Sequence, residues 1–282
     1  MPMYNCEKFV ARSIESLLAQ TFSDFELVIS DNASTDGGEE ICRAYAARDA
    51  RIRYVRRETN IGGPGNFRYV FSLCRGEYHK WSTADDYWDP TFVAKAVAVL
   101  DADPSVVLCY PKTRLIDADD ALLEDYEDNL HLLDPSPRRR FNTLLATIGL
   151  CNAHLGVIRR SAMNRTRLIG PQHTSDVHFL AELSLFGKFF LLPEYLFFRR
   201  FHTQSSSWNR ADVERQLAYY APNRKDLRMH AWRKIWLLGS AAWRAPIPAR
   251  ERFGLTADVA RLASWEREAL ARELVTLVTR SR

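Results

Sequence analysis

The sequence lacks the features that mark membrane-spanning, nucleic-acid-binding and disulfide-rich proteins. No apolar run is long enough to cross a bilayer as a helix. The net charge is only +4 over 282 residues, which is too small an excess to indicate nucleic acid as a partner. The five cysteines are odd in number, widely spaced and form no C-x-x-C pair, so we expect neither disulfides nor a zinc site. Reduced, buried thiols are typical of a cytoplasmic protein.

What is present is the composition of an ordinary globular protein. Hydrophobic residues make up 46% of the chain and charged residues 26%, which excludes a disordered polymer. The length suffices for one large α/β domain with a helical appendage.

Helix-like and strand-like segments alternate through the first 110 residues. Val10, Ile14 and Leu17 recur at helical spacing, whereas residues 25–31 form a short apolar run. Predicted helices cover 7–20, 36–48, 62–73 and 89–101, and predicted strands cover 25–31, 51–55, 78–83 and 106–110. Such alternation predicts a Rossmann-like, mostly parallel sheet flanked by helices, in which ligands bind beyond the carboxyl ends of the strands.

The alternation breaks between residues 115 and 140, where an acidic stretch is followed by prolines and arginines. We expect a surface excursion there, either a lid or acceptor-side loop or an ordinary solvated loop. A helix near 141–149, a strand near 154–159, a helix near 175–186 and an apolar segment at 189–198 complete the predicted domain.

From about residue 207 the sequence is helical and rich in arginine and tryptophan, with Trp232, Trp236, Trp243 and Trp265 as landmarks. Amphipathic helices of this kind usually pack against their own domain. Contact with a membrane surface is the second interpretation, because Trp and Arg side chains suit that interface.

Two adjacent carboxylates, Asp85 and Asp86, end the predicted strand at 78–83. Carboxylates at a strand end are poorly placed for a core and well placed to hold Mg²⁺ or Mn²⁺, which prefer oxygen ligands. The alternative is that Asp86 or Asp89 caps the next helix. We prefer the capping role for Asp89 and the metal for Asp85.

A second polar turn follows the predicted strand at 25–31. Asp31 and Asn32 can accept or donate hydrogen bonds to a base or a ribose, or they can simply form a turn. Asn60, Gly62 and Asn66 lie in a glycine-rich segment whose backbone N–H groups could approach a phosphate or sugar. This segment is neither G-x-G-x-x-G nor a Walker loop, so a plain turn is the alternative.

Two further polar segments lie in the second half of the domain. Asp176 opens a predicted helix, where a carboxylate either interacts with the helix dipole or takes a proton from an attacking hydroxyl. Arg199 and His202 follow the apolar segment at 189–198 and suit a diphosphate or a metal. A basic surface turn is the alternative for at least one arginine there.

Taken together, these segments resemble glycosyltransferase family 2, whose members have the GT-A fold. The resemblance extends over residues 1–205, and its motifs are specific jointly rather than singly. The matching segments are Pro2 to Asn5 (the family's P-x-Y-N turn), 16–21, 25–37, 60–66, 75–78 and 84–90.

The resemblance implies roles for individual residues. Asp85 corresponds to the second aspartate of the family's Asp-x-Asp motif and would hold the metal on the diphosphate. Asp176 corresponds to the general base of an inverting displacement, and His202 to a histidine near the metal. The predicted metal ligands are thus Asp85, Asp86 and His202, and the predicted donor-binding residues are Pro2, Tyr4, Asp31, Asn32, Asn60, Gly62, Asn66, Thr83 and Arg199.

Two features depart from the family pattern. Thr83 stands where the first aspartate of Asp-x-Asp is expected, and the apolar strand that usually precedes the P-x-Y-N turn is absent. That strand lies in the middle of the sheet, so its loss would expose two strand edges and remove buried apolar area. We expect a start codon assigned too late; a truncated chain is the alternative.

The resemblance implies a glycosyltransferase domain at 1–205 and a helical C-terminal extension at 206–282. The expected activity is metal-assisted, inverting transfer of a sugar from a nucleotide-sugar to a hydroxyl of a polysaccharide, glycolipid or other glycan. We expect Mn²⁺ or Mg²⁺ as cofactor, no nucleic acid as partner, and a role in cell-envelope polysaccharide synthesis at the inner face of the membrane. The alternative is a non-catalytic protein that binds nucleotide or glycan on the same scaffold.

Overall fold

The computed structural model describes residues 1–203, 205, 213–220 and 229–279. The chain opens with strands β1 (Pro2–Met3), β2 (Leu27–Asp31) and β3 (Ile52–Arg56). Helices α1 (Glu7–Leu18) and α2 (Gly38–Arg48) join them, and α3 (Gly63–Leu73) follows β3. The three strands are parallel and lie in the order β1-β2-β3. All of β2 is buried, as expected for the central strand of a covered parallel sheet. The predicted alternation is therefore confirmed over this part of the chain.

A second, mixed sheet follows. Its strands are β4 (Tyr78–Lys80), β5 (Tyr87–Trp88), β6 (Val106–Ile116), β7 (Leu122–Tyr126), β8 (Val157–Arg159) and β9 (Lys188–Arg200). The order is β4-β8-β6-β9-β5, with β7 paired to β6. Its helices are α4 (Phe92–Ala102), α5 (Pro137–Thr147), α6 (Arg160–Met163) and α7 (Ser175–Ser184), with a 3-10 helix at Asn152–Leu155. The α/β class is confirmed, with one parallel and one mixed sheet flanked by helices.

The predicted surface excursion at 115–140 is in fact partly strand. β6 continues to Ile116 because Leu115 and Ile116 are buried, and β7 pairs back on it as an antiparallel hairpin. The acidic residues that suggested a loop lie on this hairpin, where Asp125 pairs with Arg114 across the two strands. The excursion also ends early, because α5 begins at Pro137 with the Ser136 side chain capping it.

A cavity of about 650 Å³ lies where residues of the two sheets meet. Residues of β2 and β4 both line it, together with Met1 and Val97. The Met1 backbone nitrogen donates a hydrogen bond to the Val28 carbonyl across 2.7 Å. The Lys80 ammonium lies 3.3 Å from the centre of the Trp88 ring, and burial lowers its pKa. Residues of both sheets thus line one common cavity.

The C-terminal helices are α8 (Val213–Tyr220), α9 (His230–Arg244), α10 (Ala249–Trp265) and α11 (Arg267–Thr279). Leu238 and Leu255 pack into the common core, as the amphipathic pattern predicts. The tryptophans do not: Trp236, Trp243 and Trp265 are more than half exposed. Within the described residues, no helix combines the length and the apolarity needed to cross a membrane. The predicted boundary at residue 206 lies outside the described residues.

Candidate active site

The pairing of β5 with β9 brings an acidic turn beside a histidine. β4 and β5 are joined by residues 81–86, and Tyr87 of β5 lies opposite Phe198 of β9. This register places Asp85 next to His202, with 3.1 Å between Asp85 Oδ2 and His202 Nε2. The His202 ring lies 4.7 Å from the Phe9 ring and is mostly buried. The two residues, 117 positions apart in sequence, thus form one polar pair.

Asp86 turns inward instead of joining this pair. Its Oδ1 accepts the backbone N–H of Arg200 at 2.7 Å, and its Oδ2 accepts the Thr83 hydroxyl. Burial, with Asp85 as a second cause, raises the pKa of Asp86 to about 7. Thr83 is fixed in turn, because its carbonyl accepts a hydrogen bond from Ser13 Oγ at 2.8 Å. Asp86 therefore ties the acidic turn to β9.

Arg200 holds the backbone of Asp85 in place. Its buried guanidinium donates from Nε to the Asp85 carbonyl at 3.0 Å and from Nη1 to the Asp117 carbonyl at 2.8 Å. It also forms an ion pair with Asp120. Arg199, the neighbouring residue, projects toward a different loop, where its Nη1 donates to the Leu150 carbonyl at 2.9 Å. The two arginines thus fix the two sides of one cleft.

The other side of the cleft carries Asp176, in the first turn of α7. The Cys151 thiol, the His154 ring and the Asp176 carboxylate lie together here, each with a polar atom within 4.8 Å of the others. Burial, with Asp176 as a further cause, raises the pKa of Cys151, so the thiol stays protonated beside the Asp176 carboxylate. Cys151 has a left-handed backbone (φ 67°) directly before the 3-10 helix at Asn152–Leu155.

One cavity joins these two sides. The predicted residues Thr83, Asp85, Asp86, Asp176 and Arg199 line it. Sequence reasoning missed Cys151 and His154, which also line it. The signal was a Cys-x-x-His spacing, which is easily overlooked when only Cys-x-x-Cys is sought.

The predicted nucleotide residue Asp31 is wholly buried at the end of β2. Its Oδ1 accepts the Ser34 N–H at 2.8 Å and its Oδ2 accepts the Tyr54 hydroxyl at 2.7 Å. Arg56 is also near, with its Nε 3.8 Å from Oδ2. Asp31 is not among the described residues that line the cavity, so its role in donor binding stays a prediction.

The remaining predicted contacts form a hydrogen-bonded group beside Asp31. Asn32 donates to Asn60 Oδ1 at 2.8 Å, which also accepts the Gly62 N–H at 2.8 Å. Asn66 is buried and bonds to Ser30 of β2 through both its side-chain oxygen and its nitrogen. Pro2 is buried in β1, and Tyr4 is 46% exposed. The asparagine side chains thus bind neighbouring parts of the chain. The described residues around the cavity do not include Pro2, Tyr4, Asn32, Asn60, Gly62 or Asn66.

Several known proteins are similar to this chain in sequence. The uncharacterized protein Rv1520 of Mycobacterium tuberculosis is 40% identical over 121 residues, covering 42% of this chain and 35% of the relative. Chondroitin synthase of Escherichia coli is 25% identical over 257 residues, covering 83% of this chain and 36% of the relative. The putative glycosyltransferase EpsE of Bacillus subtilis is 37% identical over 102 residues, covering 36% and 37%. The chain spans about a third of the length of these curated relatives.

Solved structures share the fold. Staphylococcus aureus TarS 1–349 in complex with UDP has a TM-score of 0.65 at 17% identity, covering 95% of this chain and 71% of that one. The mannosyltransferase PcManGT from Pyrobaculum calidifontis, in complex with GDP-Man and Mn²⁺, has a TM-score of 0.56 at 17% identity, covering 99% and 79%. These likenesses confirm the predicted GT-A fold. The model of the family described as glycosyl transferase family 2 matches residues 1–167, more than half of the sequence, so the chain belongs to glycosyltransferase family 2.

Proposed function

We propose that this protein transfers a sugar from a nucleotide-sugar to a hydroxyl group, by a single displacement that inverts the anomeric carbon. The observation that carries the proposal is the cavity that has Asp85, paired with His202, on one wall and Asp176 on the other. Family membership supports the reaction class. The UDP and GDP-Man in the complexes with TarS and PcManGT support a nucleotide-sugar as donor.

The Asp85–His202 pair fits a divalent cation. A carboxylate oxygen and an imidazole nitrogen already lie 3.1 Å apart, and Asp85 keeps a fifth of its side chain exposed. Oxygen and imidazole ligands together suit Mn²⁺, and Mg²⁺ accepts a single carboxylate with water. Asp86 is less suited, because it is buried and each of its oxygens already accepts a hydrogen bond, one from a backbone N–H and one from a hydroxyl. A cation held by Asp85 and His202 would offset the negative charge of the diphosphate leaving group.

The protein's own residues supply the other functions. Asp176 accepts the proton of the attacking acceptor hydroxyl, and the Cys151 thiol lies beside its carboxylate. The Arg199 guanidinium lines the same cavity and adds positive charge to it, which favours an anionic donor. One base on one side of the sugar and one leaving-group site on the other produce inversion.

The acceptor in this proposal is a glycan or a lipid-linked sugar of the cell envelope, and a relative named chondroitin synthase supports a glycan. The enzyme acts in the cytoplasm at the inner face of the membrane. Support for surface contact comes from Trp236, Trp243 and Trp265, which are exposed and each have an arginine guanidinium within 6 Å of the ring. Co-sedimentation with vesicles containing anionic lipid tests this contact, and Trp236→Ala with Trp243→Ala should reduce it.

Thermal unfolding with nucleotides tests the donor site. UDP or GDP with Mn²⁺ should raise the melting temperature, and Asp85→Ala should abolish the rise, since only a ligand that binds the folded state stabilises it. Asp125→Ala, an exposed carboxylate of β7, is the matched control and should keep it. No shift with any nucleoside diphosphate would contradict the proposal.

Turnover separates the enzyme from a non-catalytic binding protein. A panel of nucleotide-sugars, with Mn²⁺ or Mg²⁺, should show nucleotide release that Asp176→Asn removes. Nucleotide binding without any release, from every donor in the panel and with glycan acceptors added, would favour the binding protein instead.

A further inference from the structure

Three potential metal ligands of different chemistry meet at the Asp176 side of the cavity. Cys151, His154 and Asp176 each offer one ligand atom, and these atoms all lie within 4.8 Å of one another. We propose that the three residues form a second cation site, which takes a thiophilic ion such as Zn²⁺ and is separate from the Asp85–His202 pair. Cation binding at this site does not depend on the proposed sugar transfer.

The local backbone explains why the three residues meet. Cys151 directly precedes the 3-10 helix at Asn152–Leu155, and His154 follows three residues later. The His154 N–H donates a hydrogen bond to the Cys151 carbonyl at 3.3 Å, which keeps the two residues in one turn. The first turn of α7 brings Asp176 against them. Ligands of a tetrahedral zinc ion lie about 3.5 Å apart, so small side-chain rotations close the site.

The histidine has the tautomer that a metal ligand needs. Its Nδ1 lies 2.5 Å from the Cys151 carbonyl oxygen, which can only accept a hydrogen bond. Nδ1 therefore carries the proton, and Nε2 keeps its lone pair. Metal-binding histidines usually donate their other ring N–H to a carbonyl or carboxylate in this way.

The loop that carries Cys151 and His154 is held before any ion arrives. The Leu150 N–H donates to the Tyr126 hydroxyl at 2.8 Å, and the Ala153 N–H donates to Asp128 Oδ2 at 2.9 Å. Arg199 fixes the Leu150 carbonyl from the other side. A loop with this many contacts loses little conformational freedom when an ion binds.

The ligand set selects the ion. A thiolate and an imidazole favour Zn²⁺ over Mg²⁺, which prefers oxygen, and water from the cavity supplies the fourth ligand. On binding, the Cys151 S–H bond breaks, the sulfur–zinc bond forms and the proton leaves to solvent. The Asp176 carboxylate then holds the cation and no longer accepts a proton. Zinc should therefore inhibit the enzyme, a consequence that rests on the proposed function.

Cobalt spectroscopy tests the site without any turnover. Co²⁺ replaces Zn²⁺ in tetrahedral sites and gives a near-ultraviolet band only when a thiolate is bound. We expect this band in the full-length protein and its loss in Cys151→Ser. Cys74→Ser, which removes a thiol outside the cluster, is the matched control and should keep the band, as should Asp85→Ala. A missing band in the unmodified protein, or a band that persists in Cys151→Ser, would overturn the proposal.

Zinc affinity, measured by competition with a chromogenic chelator, gives a second readout. His154→Gln and Cys151→Ser should each weaken binding at least about tenfold, since even losing a supporting contact costs that much. Equal affinity in the unmodified protein and both variants would also overturn the site. In an assay with saturating Mn²⁺, added Zn²⁺ should lower activity far more in the Cys74→Ser control than in Cys151→Ser. If the protein binds cobalt through Cys151 but transfers no sugar, the site stands and the proposed function fails.

Discussion

At the scale of single residues, Thr83 and Asp86 show why a motif must be interpreted with its neighbours. An aspartate at position 83 would place another carboxylate beside Asp86, which is buried and already has Asp85 as a neighbour. The Thr83 hydroxyl instead donates a hydrogen bond to Asp86. Thr83, which replaces the first aspartate of Asp-x-Asp, thus forms a hydrogen bond with Asp86, and Asp86 connects the acidic turn to β9.

The raised pKa of Asp86 predicts a specific pH dependence of stability. Because its folded pKa is about 7 and its unfolded pKa is about 4, the folded state holds an extra proton between these values. Stability from this group is therefore present at low pH and lost as pH rises toward 7. The Asp86→Asn variant does not titrate at this position. Its free energy of unfolding, relative to that of the unmodified protein, should therefore increase from pH 5 to pH 8, by up to about 3 kcal/mol at ~1.4 kcal/mol per pKa unit.

Urea unfolding at both pH values measures this difference. Asp125→Asn, an exposed carboxylate on β7, is the control and should show no comparable change between the two pH values. A difference between Asp86→Asn and the unmodified protein that stays constant with pH would show that Asp86 is ionised in the folded state.

Asp176→Asn tests the base without disturbing the donor site. The amide has the shape of the carboxylate but cannot take a proton, so nucleotide release should fall by at least about 10²-fold. The rise in melting temperature with UDP or GDP and Mn²⁺ should be unchanged. Joint loss of turnover and nucleotide binding would instead assign Asp176 to the donor pocket.

At the scale of elements, local pattern predicted most helices and strands, because apolar spacing and capping residues act over short distances. It failed at β7, where Leu122 and Leu123 are exposed and the acidic residues suggested a loop. Only the family resemblance predicted that Asp85 and His202 belong to one site. Local pattern could not predict it, because their contact depends on the β5–β9 register. The Cys151–His154–Asp176 cluster was missed because a loop and a helix remote in sequence build it.

Gly149, in the loop before the 3-10 helix, packs closely against Tyr126, and substitutions at these two positions test that packing. A methyl group added at Gly149 would lie 2.0 Å from the Tyr126 hydroxyl oxygen and 3.3 Å from the ring carbon that bears it. Gly149→Ala should therefore lower the free energy of unfolding by about 1–3 kcal/mol, as overpacking does. Tyr126→Phe removes the oxygen and should cost about 1–3 kcal/mol, because the Leu150 N–H loses its acceptor.

The double variant distinguishes fit from simple weakening. With the hydroxyl gone, the added methyl group meets much less resistance, so Gly149→Ala should cost less in the Tyr126→Phe protein than in the unmodified one. Chemical unfolding of the four proteins gives this coupling as a double-mutant cycle. Strictly additive costs would show that the loop moves away from Tyr126 without resistance.

At the scale of the whole molecule, the C-terminal helices brace the element that carries the candidate base. Glu182 of α7 pairs with Arg167 and with Arg244 of α9, each at 3.1 Å, although Glu182 is almost fully buried. Leu238 of α9 joins the same core. The position of Asp176, six residues before Glu182 on α7, therefore depends on a helix that lies outside the matched family region.

The last prediction concerns Asp258 of α10, whose carboxylate joins this helix to α5. It accepts hydrogen bonds from Arg138 at 2.6 and 2.9 Å and from Asn142 at 2.6 Å. The hydrogen bond from Arg138 is the main cause that lowers its pKa. A lowered acid pKa stabilises the fold above the unfolded value of about 4, and the gain is lost as pH falls through the folded pKa. Asp258→Asn should therefore lower the free energy of unfolding by about 1–3 kcal/mol at pH 7 and by much less near pH 3. If α10 and the sheets unfold as one unit, calorimetry of Asp258→Asn shows a single transition at a lower temperature. A separate early transition would show that the C-terminal helices detach first. Nucleotide release should then fall at the temperature of that early transition, because α9 no longer holds Glu182 of α7.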